Sequence, residues 1–89
     1  MAQFMQINFK VADFGKWKLD FDGHEKSRTD AALKLEHIFH AEGDANDVTL
    51  LFRTTDPAKT KAFMESDDLK EKMKDSGVIS KPDIRMLRD

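Results

Sequence analysis

Three histidines, a single tryptophan and no cysteine bound the chemistry open to this 89-residue chain. Histidine titrates near neutral pH without help, so His24, His37 and His40 are the first places to look for proton transfer. His37 and His40 lie three apart in an apolar run that reads as a strand. At that spacing an unbroken strand points its side chains to opposite faces, so the two rings cannot close on one metal ion. Without cysteine, disulfides, thiolate metal sites and a cysteine nucleophile are excluded, and no metal or other cofactor is expected. His37 shares strand parity with Leu35 and Phe39, which directs it toward the first helix. It is the first choice for a catalytic or ligand-orienting base; a hydrogen-bonded histidine near the sheet edge is the plainer alternative.

Trp17 and Phe21, one helical turn apart, could wall an apolar pocket or simply anchor their helix to a sheet. His24 continues their stripe as a second candidate base, or as a half-exposed histidine at its edge. Arg28 could clamp a carboxylate of a ligand; the alternative is a solvated helix residue. Arg53 lies in mid-strand, and if a partner covers its face it needs an acid, for which Glu36 across a barrel is the candidate. The run Asp44-Ala45-Asn46-Asp47 is not a calcium loop, because the required Gly and terminal Glu positions fall on Thr49 and Thr55. No glycine-rich phosphate loop and no nucleophile elbow is present.

The elements that must hold these residues follow from periodicity. Met5, Ile7, Phe9 and Val11 alternate through a first strand from about Gln3 to Val11. Asp13 caps a helix that runs to about Asp30 with Phe14, Trp17, Phe21 and His24 on one stripe. Gly23 in its middle marks a kink or a close approach, at a cost of about 1 kcal/mol relative to Ala. A second strand spans Leu35 to Ala41, and Glu42 to Asp47 supply hairpin turn chemistry before a third strand from Val48 to Thr54. Asp56-Pro57 then reads as an N-cap followed by Pro in the first helical position. Ser66 recaps a second helical segment bearing Leu69 and Met73, Gly77 ends it, and a last strand covers Asp83 to Leu87.

The order β-α-β-β-α-β predicts a single ferredoxin-like α+β domain over 1–89: a four-stranded antiparallel sheet with helices on one face. The face toward the helices is Met5, Ile7, Phe9, Val48, Leu50 and Phe52, continued by Ile84 and Met86. The other face mixes Phe4, Leu51, Leu87 and Ile38 with Gln6, Asn8, Thr49, Arg53 and Arg85. Such a face is apolar enough to call for a cover, and a second copy of the chain is the simplest one. A homodimer is therefore expected, with this face and the edge of the fourth strand at its interface.

Fifteen Lys plus Arg against 17 Asp plus Glu leave a net charge of −2, too balanced for a nucleic-acid or anionic-membrane binder. Met1-Ala2-Gln3-Phe4 has neither a basic nor an apolar targeting region, and no stretch reaches transmembrane length, so a cytoplasmic address is expected.

Val11-Ala12-Asp13-Phe14-Gly15-Lys16-Trp17, Phe21-Asp22, the segment from Phe63 to Met73 and Ser76-Gly77-Val78 together resemble segments of small members of the dimeric α+β barrel superfamily. That superfamily includes antibiotic-biosynthesis-monooxygenase-like, stress-responsive barrel and cyclase-like proteins. The resemblance implies two sheets closed into a barrel, with a small apolar or aromatic ligand between helices and sheet of each protomer. Haem-degrading relatives use an Asn on the first strand, a Trp, and a histidine on the second helix. Here the second helix has no histidine, and Asn8 lies on the face opposite Phe9 and Val11.

Two readings remain. One is a dimeric barrel binding a small hydrophobic or aromatic molecule, as a cofactor-free monooxygenase-like or cyclase-like enzyme built on Trp17, Phe21, His24 and His37. The other is a non-catalytic ligand-binding or stress-associated dimer in which those residues are core. An RNA-recognition domain shares the element order, but the third strand carries no stacking-aromatic motif and the charge is wrong.

Overall fold

The structure, a computed structural model, describes residues 2–89. Its elements are β1 (Gln3–Lys10), α1 (Phe14–Gly23), α2 (Glu25–Asp30), β2 (Leu33–Ala41), β3 (Asp44–Thr54), α3 (Pro57–Met64), α4 (Asp67–Asp75) and β4 (Asp83–Arg88). The strands form one antiparallel sheet in the order β2-β3-β1-β4, the ferredoxin-like arrangement. In it Ile7 stands between Leu50 and Ile84, and Met5 between Phe52 and Met86. Met5, Ile7, Phe9, Val48, Leu50 and Phe52 are buried beneath the helices together with Trp17, as their alternation requires. No helix among the described residues is long and apolar enough to cross a membrane.

The helix starts are set by short polar side chains. The Asp13 carboxylate accepts from the Gly15 amide, Asp56 from that of Lys59 ahead of Pro57, and the Ser66 hydroxyl from that of Leu69. Each such cap is worth about 1 kcal/mol. Gly77 follows α4 in the left-handed region at φ 93°, which suits its missing Cβ.

The first helix is not continuous to Asp30. It breaks at His24 (φ −106°, ψ 19°), which ends α1 and starts α2. Gly23 weakens the helix there, but nothing lies within 4 Å of where its Cβ would be, so the break is a kink and not a close approach. Beyond α2, Ala32 takes the chain into β2 at φ 62°. A chain of hydroxyls pins this corner to α3: the Thr60 and Thr54 oxygens lie 2.8 Å apart, and Thr60 donates to the Ala31 carbonyl at 2.8 Å.

Two irregularities in β2 alter the expected parity. Leu35 pairs with Phe52 but His37, not Glu36, pairs with Leu51, so Glu36 is the extra residue of a bulge. Downstream of it every side chain changes face. Ile38 and His40 turn toward the helices, opposite Leu50 and Val48, while His37 and Phe39 turn to the open face. This reverses the sequence expectation for both His37 and Ile38. Glu36 meets Arg53 Nε at 3.1 Å on the neighbouring strand, so this ion pair forms within one chain and not across a barrel. The hairpin is also tighter than predicted: Ala41 pairs with Asp44, Glu42-Gly43 make the turn with Gly43 at φ 84°, and Asp44 to Asp47 belong to β3.

Strand β4 departs from expectation in its cover. Ile84 and Met86 face the helix side of the sheet yet are 40% and 51% exposed, because β4 is the outermost strand and no helix reaches over it.

Candidate functional site

Between the helices and the sheet lies an apolar cavity of about 90 Å³. Several times the ~10–15 Å³ that would hold one water, it is lined almost wholly by hydrocarbon and so suits an apolar guest. Its floor is the buried face of β1 and β3, including Ile7, Phe9, Leu50 and Phe52. One wall comes from α1 and α2, the other from α3 and α4 with Phe63, Leu69 and Met73. The two helical pairs make little direct contact with each other, which is why the space between them stays open.

The helical stripe places the aromatic wall. Trp17 and Phe21 stack at 4.8 Å between ring centroids, and Phe9 meets Trp17 edge-on at 5.5 Å. Trp17 is buried and Phe21 half-buried. His24, three residues beyond Phe21 at the end of α1, also borders the cavity. Arg28, one turn further, folds back over Phe21: its guanidinium carbon is 3.6 Å from the ring centroid and Nη1 donates to the Phe21 carbonyl. Burial lowers the Arg28 pKa from its usual value, against the opposing pull of Glu25 and then Asp22. Among the described residues no carboxylate lies within 4.0 Å of it.

Four of the five residues picked out in the sequence thus converge: Trp17, Phe21, His24 and Arg28. His37 does not. The bulge at Glu36 sends it to the open sheet face, exposed and 4.3 Å from the Phe39 ring, with the sheet between it and Trp17. His40 serves the fold, its Nδ1 hydrogen-bonded to the Ala45 carbonyl at 2.8 Å and its ring against Phe14 at 4.3 Å. Asn8 on the open face is occupied by Asp47, Thr49 and the Val48 carbonyl.

Sequence reasoning missed Lys72 and Ser76, which close the α4 side of the cavity. They sit three and seven residues beyond Leu69, the helical spacing of the same face, but the charged run around Lys72 reads as solvated surface. Lys72 is paired with Asp68 at 3.1 Å at the rim.

No protein-family model and no curated protein matches the sequence. Solved structures do match, over essentially the whole chain. A candidate antibiotic biosynthesis monooxygenase from Bordetella bronchiseptica superposes with a TM-score of 0.75 at 11% identity, covering 100% of this chain and 98% of that one. A conserved protein from Methanosarcina mazei gives 0.71 at 13% identity, covering 99% and 92%. A NIPSNAP-like domain protein from Burkholderia xenovorans gives 0.64 at 11% identity, covering 99% and 84%. The chain thus shares the ferredoxin-like α+β fold of these solved structures. Identities this low carry the fold alone.

Proposed function

We propose that this protein acts as a homodimer that binds one small hydrophobic or aromatic molecule per chain in the cavity between helices and sheet. The observation that carries the reading is the cavity itself: an apolar space of about 90 Å³ walled by Trp17 and Phe21, with the His24 imidazole on its rim. Apolar pockets with few polar groups are the ordinary form of small-molecule sites. In turnover of the monooxygenase-like or cyclase-like kind, His24 is the residue that takes a proton from the bound molecule. The likeness to candidate antibiotic biosynthesis monooxygenases supports that class. A non-catalytic ligand-binding dimer is the second reading, favoured by how nearly apolar the cavity wall is apart from His24, Arg28 and Lys72.

The dimer is supported by the open sheet face, where Phe39 and Leu87 are 45% and 41% exposed beside Phe4 and Leu51, and by the uncovered Ile84 and Met86. Two such open faces packed about 10 Å apart would bury Phe4, Phe39, Leu51 and Leu87, while Ile84 and Met86 lie on the opposite side at the β4 edge.

The test uses a neutral probe, 4-butylbenzamide, followed by the fluorescence of the single tryptophan. Saturation at one molecule per chain, lost in Ser27→Phe, supports the site; Ser27 lines the cavity, and a ring there fills it. No saturable signal up to the solubility limit would overturn it. Turnover is read separately, as oxygen uptake or product formation that disappears in His24→Gln. Binding without turnover of any small aromatic tried leaves the second reading standing.

A further inference from the structure

The chain carries 17 acidic residues against 15 Lys and Arg, yet the ionisable groups bordering the cavity are all basic: His24, Arg28 and Lys72. No Asp or Glu lines it. We infer that the cavity takes an amphipathic carboxylic acid, its apolar or aromatic body against Trp17 and Phe21 and its carboxylate held at the rim between Arg28 on α2 and Lys72 on α4.

This rests on the cavity being the binding site and adds the chemical class of its ligand. Arg28 is the stronger part of the argument. A half-buried guanidinium without an ion-pair partner has given up hydration for little return, and the usual reason for keeping such a group is a counter-ion that arrives with the ligand. Its present contacts, the face of Phe21 and that residue's carbonyl, hold the planar fork in place and leave other N–H groups free to donate. Of the acids nearest in sequence, Asp22 pairs with Lys18 at 2.6 Å and Asp30 with Lys26 at 3.4 Å, while Glu25 acts on Arg28 through space without coming within 4.0 Å of it.

On its outer side Arg28 borders an open groove of about 590 Å³ that also contains Asp22, Glu25 and Lys34. That groove offers an anion two carboxylates beside its basic groups, whereas the inner side offers Lys72 and no carboxylate. Lys72 is held only by Asp68 at the surface, where an exposed pair contributes about 0–1 kcal/mol, so a better-placed carboxylate can take it over. The two basic residues come from the two helical pairs on either side of the opening, so one anion between them would also draw the walls together.

Matched probes test this. Wild-type protein is titrated with 4-butylbenzoate and with 4-butylbenzamide, which share an apolar body and differ in charge. The benzoate is expected to bind at least tenfold more tightly. Arg28→Gln and Lys72→Met should each reduce that ratio several-fold, whatever the change in amide affinity itself, and Arg28→Lys should restore part of it. Saturable amide binding shows that a variant still folds and keeps its cavity. Equal affinity of wild type for both probes, or a ratio that survives in both variants, overturns the acid-binding inference and leaves the apolar cavity reading intact. Failure of both probes to bind overturns both.

Discussion

Glu36 and Arg53 form an ion pair at 3.1 Å between neighbouring strands, and Glu36 is the residue that the β2 bulge inserts. The pair holds the extra residue on the open face beside β3. The bulge then decides which histidine meets which face: in a regular ladder Glu36 would pair with Leu51, His37 would face the helices and Ile38 the open side. The Arg53 guanidinium also lies 5.5 Å from the Phe4 ring, which keeps it flat on the sheet.

His37 therefore separates two geometries that the sequence alone left indistinguishable. His37→Ala is expected to leave the affinity for 4-butylbenzamide unchanged and to alter stability by no more than about 0.5 kcal/mol, as for an exposed residue. Loss of binding in this variant would mean that β2 runs without its bulge in solution.

Ala32 is the one described non-glycine residue at positive φ, 62°. That region costs an L-residue roughly 1–2 kcal/mol. Ala32→Gly removes the strain and adds about 0.5–1 kcal/mol of unfolded-state entropy. A net gain of roughly 0.5–1 kcal/mol is expected, a rise in Tm of about 2–8 °C for a domain of this size. Ala32→Val should move Tm the other way, because β-branching worsens the same clash.

Much of this fold is legible because its signals are local. Asp13, Asp56-Pro57, Ser66 and Gly77 each mark a helix boundary through a bond or torsion within a few residues of themselves. The alternation in β1 and β3 likewise separates the core face without knowledge of partners. Parity along β2 was not legible, since a one-residue bulge leaves composition unchanged and is defined only against the register of β3. The exposure of Ile84 and Met86 was not legible either, because alternation tells which side a residue faces and not whether anything covers that side. On the site, the stripe from Trp17 to Arg28 could be read along one stretch of chain. Lys72 joins it only across the space between two helical pairs, a relation that sequence spacing does not carry.

The open face makes its own test. Leu51 lies at the centre of that face, between Gln6 on β1 and His37 on β2. Leu51→Arg should leave the fold intact and convert a dimer to a monomer, since two copies of the substitution would bring unpaired charges together in an apolar contact. Sedimentation equilibrium at micromolar concentration should give twice the 10.2 kDa chain mass for wild type and the chain mass for the variant. A wild-type protein found only at 10.2 kDa sinks the dimer.

Trp17 divides a cavity that is merely a packing defect from one that accepts guests. The residue is 3% exposed and in contact with Phe9, Phe14 and Phe21, so Trp17→Ala should cost about 3–5 kcal/mol. Since a domain of this kind has only about 5–15 kcal/mol in hand, the variant will be near its limit. The hole left has the shape of an indole side chain and opens into the existing cavity, whose walls are mostly apolar. Free indole should therefore fill it, as small aromatics fill engineered apolar cavities. A ligand that binds only the folded state stabilises it by RT ln(1 + [L]/Kd), about 2.7 kcal/mol at a hundredfold excess over Kd. Millimolar indole is thus expected to raise the Tm of Trp17→Ala by several degrees, measured by circular dichroism, and to move wild type much less because its wall is already occupied. If indole leaves the variant unchanged, the region has collapsed around the missing ring, and the two helical pairs are not held apart as a guest would require.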